Sequence, residues 1–258
     1  MKKFYLIAAL TVATLTANAQ QKLYLSTYNG TNLEHVDGKT CLVSANRYMF
    51  KGWNTIALPF AMTTDELNEM FGTDCRLERL IGVENDGNDI LLNFQDCKAE
   101  GLQANTPYVL YYTGENANKK IEKEALISNG QASISFLTNR GEQVTMAGVQ
   151  TQTKGVGFYG IPAKDNGEVN FRKIDESLNG FFATRCYIQL TSATASQLKV
   201  RHLAAGEVNS IQQVLTNDEL VDVYNLAGKK IAAGLNAEKV SQLKQGIYVV
   251  KGQKVLVK

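Results

Sequence analysis

Histidine, the side chain most often used for proton transfer in catalysis, is scarce in this 258-residue sequence. The sequence has only two histidines, and a Ser-His-Asp or Cys-His arrangement needs a histidine that takes and returns a proton. His35 lies in a polar segment typical of a strand or turn, and His202 ends a predicted strand, where a surface or edge position is expected. No G-x-S-x-G nucleophile elbow is present. The sequence therefore predicts a protein that is not an enzyme.

Two short segments are similar to ligand-binding loops but lack their spacing. Gly38-Lys39-Thr40 matches the end of a phosphate-binding loop, yet Leu33 stands where that loop needs its first glycine. Residues 84–89 offer oxygen ligands for calcium but lack the order and the final glutamate of an EF-hand loop, so a solvated hairpin turn is the better interpretation. We predict no cofactor and no metal. A glycoside hydrolase or peptidase of unrecognised type stays an alternative, because paired carboxylates leave no local trace.

Four cysteines allow two interpretations: Cys41, Cys75, Cys97 and Cys186. In an exported chain, a disulfide between Cys75 and Cys97 is chemically allowed, because these residues flank two predicted adjacent strands. Alternatively, all four are small buried apolar residues. The second interpretation is favoured, because a chain of this length builds a core without disulfides.

Aromatic side chains are the remaining candidates for ligand contact, through stacking on sugar faces. Core and cross-strand packing is the simpler interpretation for most of them, above all for Trp53, which lies inside an apolar strand. Tyr111 and Tyr112 differ, because consecutive strand residues point to opposite sides and one of them should face solvent or a partner. We keep these two as candidate ligand-stacking residues of a carbohydrate-binding or adhesin module.

The elements around these residues predict an all-β fold. Short strand patterns recur almost throughout, separated by Gly and Asn turns, which is typical of an antiparallel β-sandwich. One short helix is expected, since Thr63 and Glu66 form a capping box before an apolar helical face that ends at Gly72. The lack of strand–helix alternation argues against a parallel nucleotide-binding sheet.

The first 19 residues have the pattern of a signal peptide. Lys2 and Lys3 precede a 13-residue apolar run, and Ala17-Asn18-Ala19 matches an A-x-A cleavage site. A bilayer span needs about 20 residues, so we predict export through the inner membrane and no transmembrane segment in the mature chain. Removal of Lys2 and Lys3 leaves 25 basic and 25 acidic residues, a balance without general attraction to nucleic acid.

Residues 220–258 carry a V-x-V-Y-N-x-x-G strand and turn, then a G-I-Y-V strand and a lysine-containing hairpin. This pattern resembles the C-terminal modules of exported Bacteroidetes proteins, including the sorting domains read by type IX secretion. The resemblance implies a small Ig-like β module for sorting or attachment at the outer membrane. The residues that carry it are Tyr224, Asn225, Gly228, Gly246, Tyr248, Lys254 and Lys258.

The body of the chain carries a second resemblance. The segment W-N-T-I-A-L-P-F at residues 53–60 is similar to a motif of β-rich surface proteins from gut and oral Bacteroidetes. Residues 104–108, 157–160 and 183–187 look like further members of that series. The resemblance implies location and fold rather than a particular chemistry.

These patterns predict four regions: a signal peptide (1–19), a β-sandwich (20–205), a linker (206–216) and the C-terminal module (217–258). The function that they favour is that of an exported, non-enzymatic interaction protein at the outer-membrane surface or in the medium, with the periplasm as the fallback location. The expected partners are secretion or cell-surface machinery, and possible ligands are a glycan or another surface protein.

Overall fold

The computed structural model describes residues 21–26, 30–138, 140–153, 157–161, 171–174, 180–191, 198–206, 208–210 and 220–257. The predicted signal peptide lies outside these residues. Within them, no helix is long and apolar enough to cross a membrane.

The strands in this part of the chain are β1 (Lys22–Leu25), β2 (Thr40–Met49), β3 (Gly52–Ile56), β4 (Arg76–Asp86), β5 (Asp89–Asp96), β6 (Tyr108–Tyr112), β7 (Ala117–Leu126), β8 (Ser133–Leu137), β9 (Gln143–Gly148), β10 (Tyr159–Gly160), β11 (Arg172–Lys173), β12 (Cys186–Leu190), β13 (Leu198–Leu203), β14 (Val208–Ser210), β15 (Val221–Tyr224), β16 (Lys230–Leu235), β17 (Gly246–Val250) and β18 (Gln253–Val257). The α-helices are α1 (Thr64–Phe71) and α2 (Ala237–Ser241), and 3-10 turns lie at Glu34–Val36 and Lys98–Glu100.

A five-stranded sheet of order β13-β5-β4-β6-β3 forms the central layer. Its neighbouring strands are antiparallel except β13, which runs parallel to β5 with Leu198 opposite Ile90. A register shift between Leu80 and Gly82 marks a β-bulge in β4. Both faces of this sheet are covered by other layers.

The first core lies between the central sheet and a three-stranded sheet of order β1-β2-β7. α1 also packs into it through Leu67 and Phe71. β2 turns every second residue inward, as a strand with one buried face must. Its buried residues are Cys41, Val43, Ala45, Arg47 and Met49.

The second core lies on the opposite face of the central sheet. There an antiparallel sheet of order β11-β10-β12-β9-β8 packs against it. Fully buried residues in this core include Leu80, Leu92, Phe94, Val109, Val144, Met146 and Ile188. The predicted all-β fold with packed sheets is confirmed.

α1 has the ends that the sequence predicts. The Thr63 hydroxyl accepts the backbone N–H of Glu66 at 3.3 Å, and the Glu66 carboxylate accepts the backbone N–H of Thr63 at 2.7 Å. Gly72 follows the last helical residue with φ +92°, a conformation that favours glycine. Glu66 also pairs with Lys123 of β7, which joins the helix to the first core's outer sheet.

The C-terminal module is one sheet of order β14-β18-β17-β15-β16, with α2 on one face. Val223, Val240 and Val250 are fully buried in its own core. β14 pairs with β18 and lies at residues 208–210, inside the range predicted as a linker. The module's sheet therefore includes a strand that precedes residue 217. Residues 211–219 lie outside the described ranges.

A small fourth core joins the module to the body. Ile247 of β17 packs over the bulge in β4, where a Cβ placed on Gly82 would lie 3.4 Å from Ile247 Cγ1. Ile81 and Leu203 come from the central sheet, and Leu256 comes from the module. The module thus docks through the face of β17 and β18 that points away from α2.

The four cysteines are free and buried, which confirms their interpretation as small apolar residues. The alternative disulfide between Cys75 and Cys97 is not formed. Each of these two thiols instead donates to a different backbone carbonyl, Cys75 to Leu67 at 3.8 Å and Cys97 to Leu77 at 3.4 Å.

Candidate functional site

Four motif segments singled out in the sequence lie close together in the fold. The Thr55 hydroxyl of W-N-T-I-A-L-P-F accepts the backbone N–H of Cys186, from A-T-R-C-Y, at 2.9 Å. In the same segment, the Leu58 carbonyl accepts the N–H of Asn105, from A-N-T-P-Y, at 2.8 Å. Tyr159 of G-F-Y-G lies on β10, beside β12. The motif residues therefore build the junction between the central sheet and the second sheet.

Asn54 shapes the turn between β2 and β3. Its Oδ1 accepts the backbone N–H of Phe50 at 3.1 Å, and its Nδ2 donates to the carbonyls of Phe50 and Gly52 at 2.8 and 3.0 Å. Gly52 has φ +96°, which the turn requires. The turn holds Phe50 against Tyr48, with ring centroids 5.0 Å apart in an edge-to-face arrangement.

Arg47 occupies a position on the inner face of β2 where the strand otherwise buries apolar side chains. It is 2% exposed. Its Nη1 donates to the Thr184 carbonyl at 2.8 Å and to the Thr184 hydroxyl at 2.5 Å, and its Nη2 donates to the Thr55 carbonyl. Its Nε is buried without an acceptor. Arg47 is therefore a buried charged group whose hydrogen-bond acceptors are neutral oxygen atoms.

Arg185 brings a second guanidinium from the turn before β12. It follows Thr184, whose φ of +68° is a strained conformation for a β-branched residue. Arg185 Nη2 donates to the Tyr48 carbonyl at 3.1 Å, and its guanidinium lies 5.7 Å from the Phe50 ring centroid. Among the described residues, no carboxylate forms an ion pair with Arg47 or Arg185.

Both guanidiniums line an open pocket of about 200 Å³, which we call the arginine pocket. Burial lowers the pKa of Arg47 to about 9, and the positive charge of Arg185 contributes to that decrease. Burial also lowers the pKa of Arg185. Burial therefore disfavours the charged form of both guanidiniums. An anion bound beside them would favour the charged form. The residues that line the pocket include Arg47, Tyr48, Phe50, Phe182, Thr184 and Arg185.

Tyr111 and Tyr112, the candidate ligand-stacking residues, point to opposite faces of the central sheet. Tyr112 is 5% exposed and lies in the first core, with Lys119 Nζ 5.2 Å from its ring centroid. Tyr111 is half-buried and packs edge-on against Trp53, with centroids 5.2 Å apart. Of the two tyrosines, only Tyr111 is partly open to solvent. Trp53 is buried, as predicted.

His202 lies on β13 at the edge of the central sheet, as predicted. Its Nδ1 is 2.5 Å from Glu78 Oε2, and its ring stacks on Trp53 with centroids 4.6 Å apart. Glu78 is fully buried and also pairs with Arg76. No serine, threonine or cysteine side chain in the described ranges hydrogen-bonds His202. His35 lies on an exposed 3-10 turn, in line with the prediction of a strand or turn position.

The acidic segment at residues 84–89 is the hairpin between β4 and β5, as predicted. Lys199 Nζ lies 2.9 Å from Asp86 Oδ2 and 2.8 Å from Asp89 Oδ2. The hydrogen bond from Lys199 lowers the pKa of Asp86. Both carboxylates therefore already have a cationic partner. In the described part of the chain, no three His, Cys, Asp or Glu side chains are arranged to hold a metal.

Asn225 and Gly228, from the sorting-module pattern, build the turn between β15 and β16. Asn225 Oδ1 accepts the Lys229 N–H at 2.9 Å, and the Gly228 N–H donates to the Asn225 carbonyl at 2.9 Å. Gly228 has φ +76°, so the turn requires glycine there. Next to it, Lys230 Nζ lies 5.7 Å from the Tyr224 ring centroid. This part of the pattern is a turn signature.

The other pattern residues lie on the hairpin of β17 and β18. The Tyr248 hydroxyl donates to the Lys244 carbonyl at 2.7 Å, and burial raises the pKa of Tyr248. Gly246 pairs with Val257 at one end of the hairpin, and Lys254 is half-buried on β18. Lys258 lies outside the described residues.

Sequence reasoning missed the arginine pocket. One signal was available: along β2, an arginine stands in a row of alternating apolar residues. No local signal links it to Arg185, because Arg185 and its acceptor Tyr48 are 137 residues apart in the sequence. Only the folded chain brings the two guanidiniums together.

Comparison with known proteins gives no match to a family model, to a curated protein or to a solved structure. The function is therefore argued from this chain's own residues and geometry.

Proposed function

We propose that this chain is an exported, non-enzymatic interaction protein of the cell surface or the medium, and that its C-terminal module acts in sorting or attachment. The signal-peptide pattern of residues 1–19 and the resemblance of residues 220–258 to sorting modules support the proposal. The observation that carries it is that the module has its own core and contacts the body through a small apolar patch. A receptor can bind such a unit while the body stays folded.

The module offers a receptor an exposed sheet edge. β16 ends the sheet, and most of its residues are exposed. An edge strand presents unpaired backbone donors and acceptors, which a partner strand can complete. Ile231, 49% exposed on this strand, adds an apolar contact. The expected partner is secretion or cell-surface machinery that pairs with β16.

Two truncations in the native host test the sorting role. Ending the chain at residue 206 removes the whole module sheet, whereas ending it at residue 216 leaves β14 without its neighbour β18. We expect both truncated forms to stay in the periplasm, while the full chain reaches the surface or the medium. Cell fractionation and protease accessibility on intact cells measure the distribution.

A full-length variant, Ile231→Asp, keeps the docking contacts of the module and changes only its exposed edge. We expect it to lower surface delivery without changing the melting temperature of the purified protein. Thermal unfolding of each truncated form shows whether the body remains folded, because truncation uncovers Ile81 and Leu203. A folded truncated body that reaches the surface normally would contradict the proposal.

Carbohydrate binding is a second candidate function, and the arginine pocket favours it. Tyr48 is 42% exposed at this pocket, next to the ring of Phe50. Aromatic rings beside polar groups in a concave site are typical of small-ligand sites that include sugars. A glycan array on which the purified mature chain binds no glycan would count against this second function.

A further inference from the structure

Within the described part of the chain, the arginine pocket has two guanidinium groups and no carboxylate paired with either of them. Arg47 is held by carbonyl and hydroxyl oxygens alone, and its Nε has no acceptor. Arg185 makes one hydrogen bond to a backbone carbonyl, and neither guanidinium pairs with a carboxylate in the described ranges. Two neighbouring cations, of which Arg47 is buried and Arg185 is partly buried, repel each other and favour a bound anion.

The donors that remain open define the shape of that anion. Both Nη groups of Arg47 already donate to protein oxygens, so Arg47 supplies charge from behind the site. Arg185 has five N–H groups and uses one of them on a described residue, which leaves most of its planar fork for a ligand. A carboxylate accepts two parallel hydrogen bonds from such a fork. The same fork can donate to two oxygens of a phosphate or sulfate, but it leaves their further charged oxygens without a donor, so a carboxylate is the better match to a single fork.

The residues that line the pocket indicate which class of molecule bears the carboxylate. The pocket has about 200 Å³ of room, enough for one sugar ring rather than a polymer segment. Tyr48, 42% exposed, and Phe50 give flat apolar surfaces beside the guanidinium of Arg185. The C–H face of a sugar ring packs on such surfaces. We propose that the arginine pocket binds one acidic sugar residue, with its carboxylate on Arg185 and its ring against Tyr48. This site deepens the second candidate function, carbohydrate binding, and rests on it.

Titration of the purified mature chain (residues 20–258) with galacturonate tests the site. We expect saturable binding in calorimetry and a rise in melting temperature, because a ligand that binds only the folded state stabilises it. Galactose, which lacks the carboxylate, should bind at least about tenfold more weakly, as expected when a charged hydrogen-bond pair is lost. Acetate, sulfate and a short peptide with a free C-terminal carboxylate are measured at the same ionic strength.

Matched arginine variants locate the binding. Arg185→Gln should weaken galacturonate binding at least about tenfold while its melting temperature without ligand stays close to that of the parent protein. Arg201→Gln removes an arginine that pairs with Glu84 on another part of the body, and it should bind galacturonate as the parent does. Each measurement uses chloride buffer without phosphate, so that no other oxyanion fills the pocket.

Several results would overturn the site. These are equal binding of galactose and galacturonate, tighter binding of sulfate or of the peptide carboxylate, and full binding by the Arg185→Gln variant. If galacturonate fails but a glycan array still shows neutral glycans bound, carbohydrate binding stands and the acidic-sugar site falls. Surface delivery is measured separately in cells, so the outcome there does not depend on this titration.

Discussion

Two residues with unusual local properties support each other in this fold. Thr184 has a backbone conformation that β-branched residues avoid, and Arg47 carries a charge into a strand's inner face. The guanidinium of Arg47 donates to both the carbonyl and the hydroxyl of Thr184, which holds that conformation in place. Strained residues that are fixed by their surroundings are often found at functional sites. Here the strain lies at the wall of the arginine pocket.

The four cysteines give a prediction at the residue scale. Burial raises the pKa of Cys97 and of Cys186 to about 12, and it also raises the pKa of Cys75. Since the thiolate is the reactive form and all four side chains are buried, Cys41 among them, we expect no thiol of the native protein to react with maleimide at neutral pH. In denaturant without reductant, all four should react. Intact-mass spectrometry counts the labels in each state.

A matched control for this count is Cys75→Ser, which should lower the number of labels in denaturant from four to three. If Cys75 and Cys97 formed a disulfide, the parent protein would take only two labels in denaturant until a reductant is added. That result would restore the alternative interpretation of the cysteines.

The N-terminus of α1 has both a capping hydrogen bond and a charge pair, and two variants measure the contribution of each to stability. Thr63→Ala removes the hydroxyl that caps the helix and should lower the free energy of unfolding by about 1 kcal/mol, at pH 7 and at pH 3 alike. Glu66→Gln keeps a side chain that reaches back to Thr63 but loses the charge pair with Lys123. It should cost only about 0.5 kcal/mol at pH 7. Urea unfolding of each variant at both pH values measures these differences.

The sign of the pH effect follows from the pKa of Glu66. Partial burial acts to raise this pKa, but the hydrogen bonds from Lys123 and Thr63 outweigh burial and lower it below the ordinary value of 4.5. The unfolded chain therefore binds the proton first as the pH falls, and the contribution of Glu66 to stability is lost below about pH 4.5. The difference in stability between the parent and Glu66→Gln should therefore be smaller at pH 3 than at pH 7. An unchanged difference would show that the charge pair contributes nothing.

Elements with strong local patterns were predictable, and those set by distant pairing were not. Tyr111 and Tyr112 are consecutive residues of β6, as predicted, and the capping box predicted the start of α1. β7 has no strong local pattern, because Ile121 and Ala125 are its only buried residues in a charged segment. The parallel pairing of β13 with β5 leaves no local mark, since the two strands are about a hundred residues apart. The arginine pocket depends on similarly distant contacts, so it also leaves no local pattern in the sequence.

The C-terminal module has its own hydrophobic core and also docks onto the body of the protein. Its own core lies under α2 and is built mainly from valines of β15, β17, β18 and α2. Its attachment depends on a bulge in β4 that removes a side chain at Gly82 and leaves room for Ile247. This attachment cannot be read from residues 220–258 alone, because half of the contact belongs to the central sheet.

The contact between the C-terminal module and the body predicts different effects for two isoleucine variants. Ile247 is 9% exposed between the module and the body, whereas Ile231 is 49% exposed on β16, so the same change at each site isolates burial. Ile247→Ala should destabilise the docked hairpin by about 2 kcal/mol, the lower end for a buried isoleucine, because the fourth core is small. Ile231→Ala should change stability by less than about 0.5 kcal/mol.

Hydrogen exchange then resolves where stability is lost. Backbone amides of β17 and β18 should exchange about thirtyfold faster in Ile247→Ala, while those of β2 and β3 stay as in the parent. Equal acceleration throughout the body would mean that module and body unfold as one unit, which would contradict a separable sorting module.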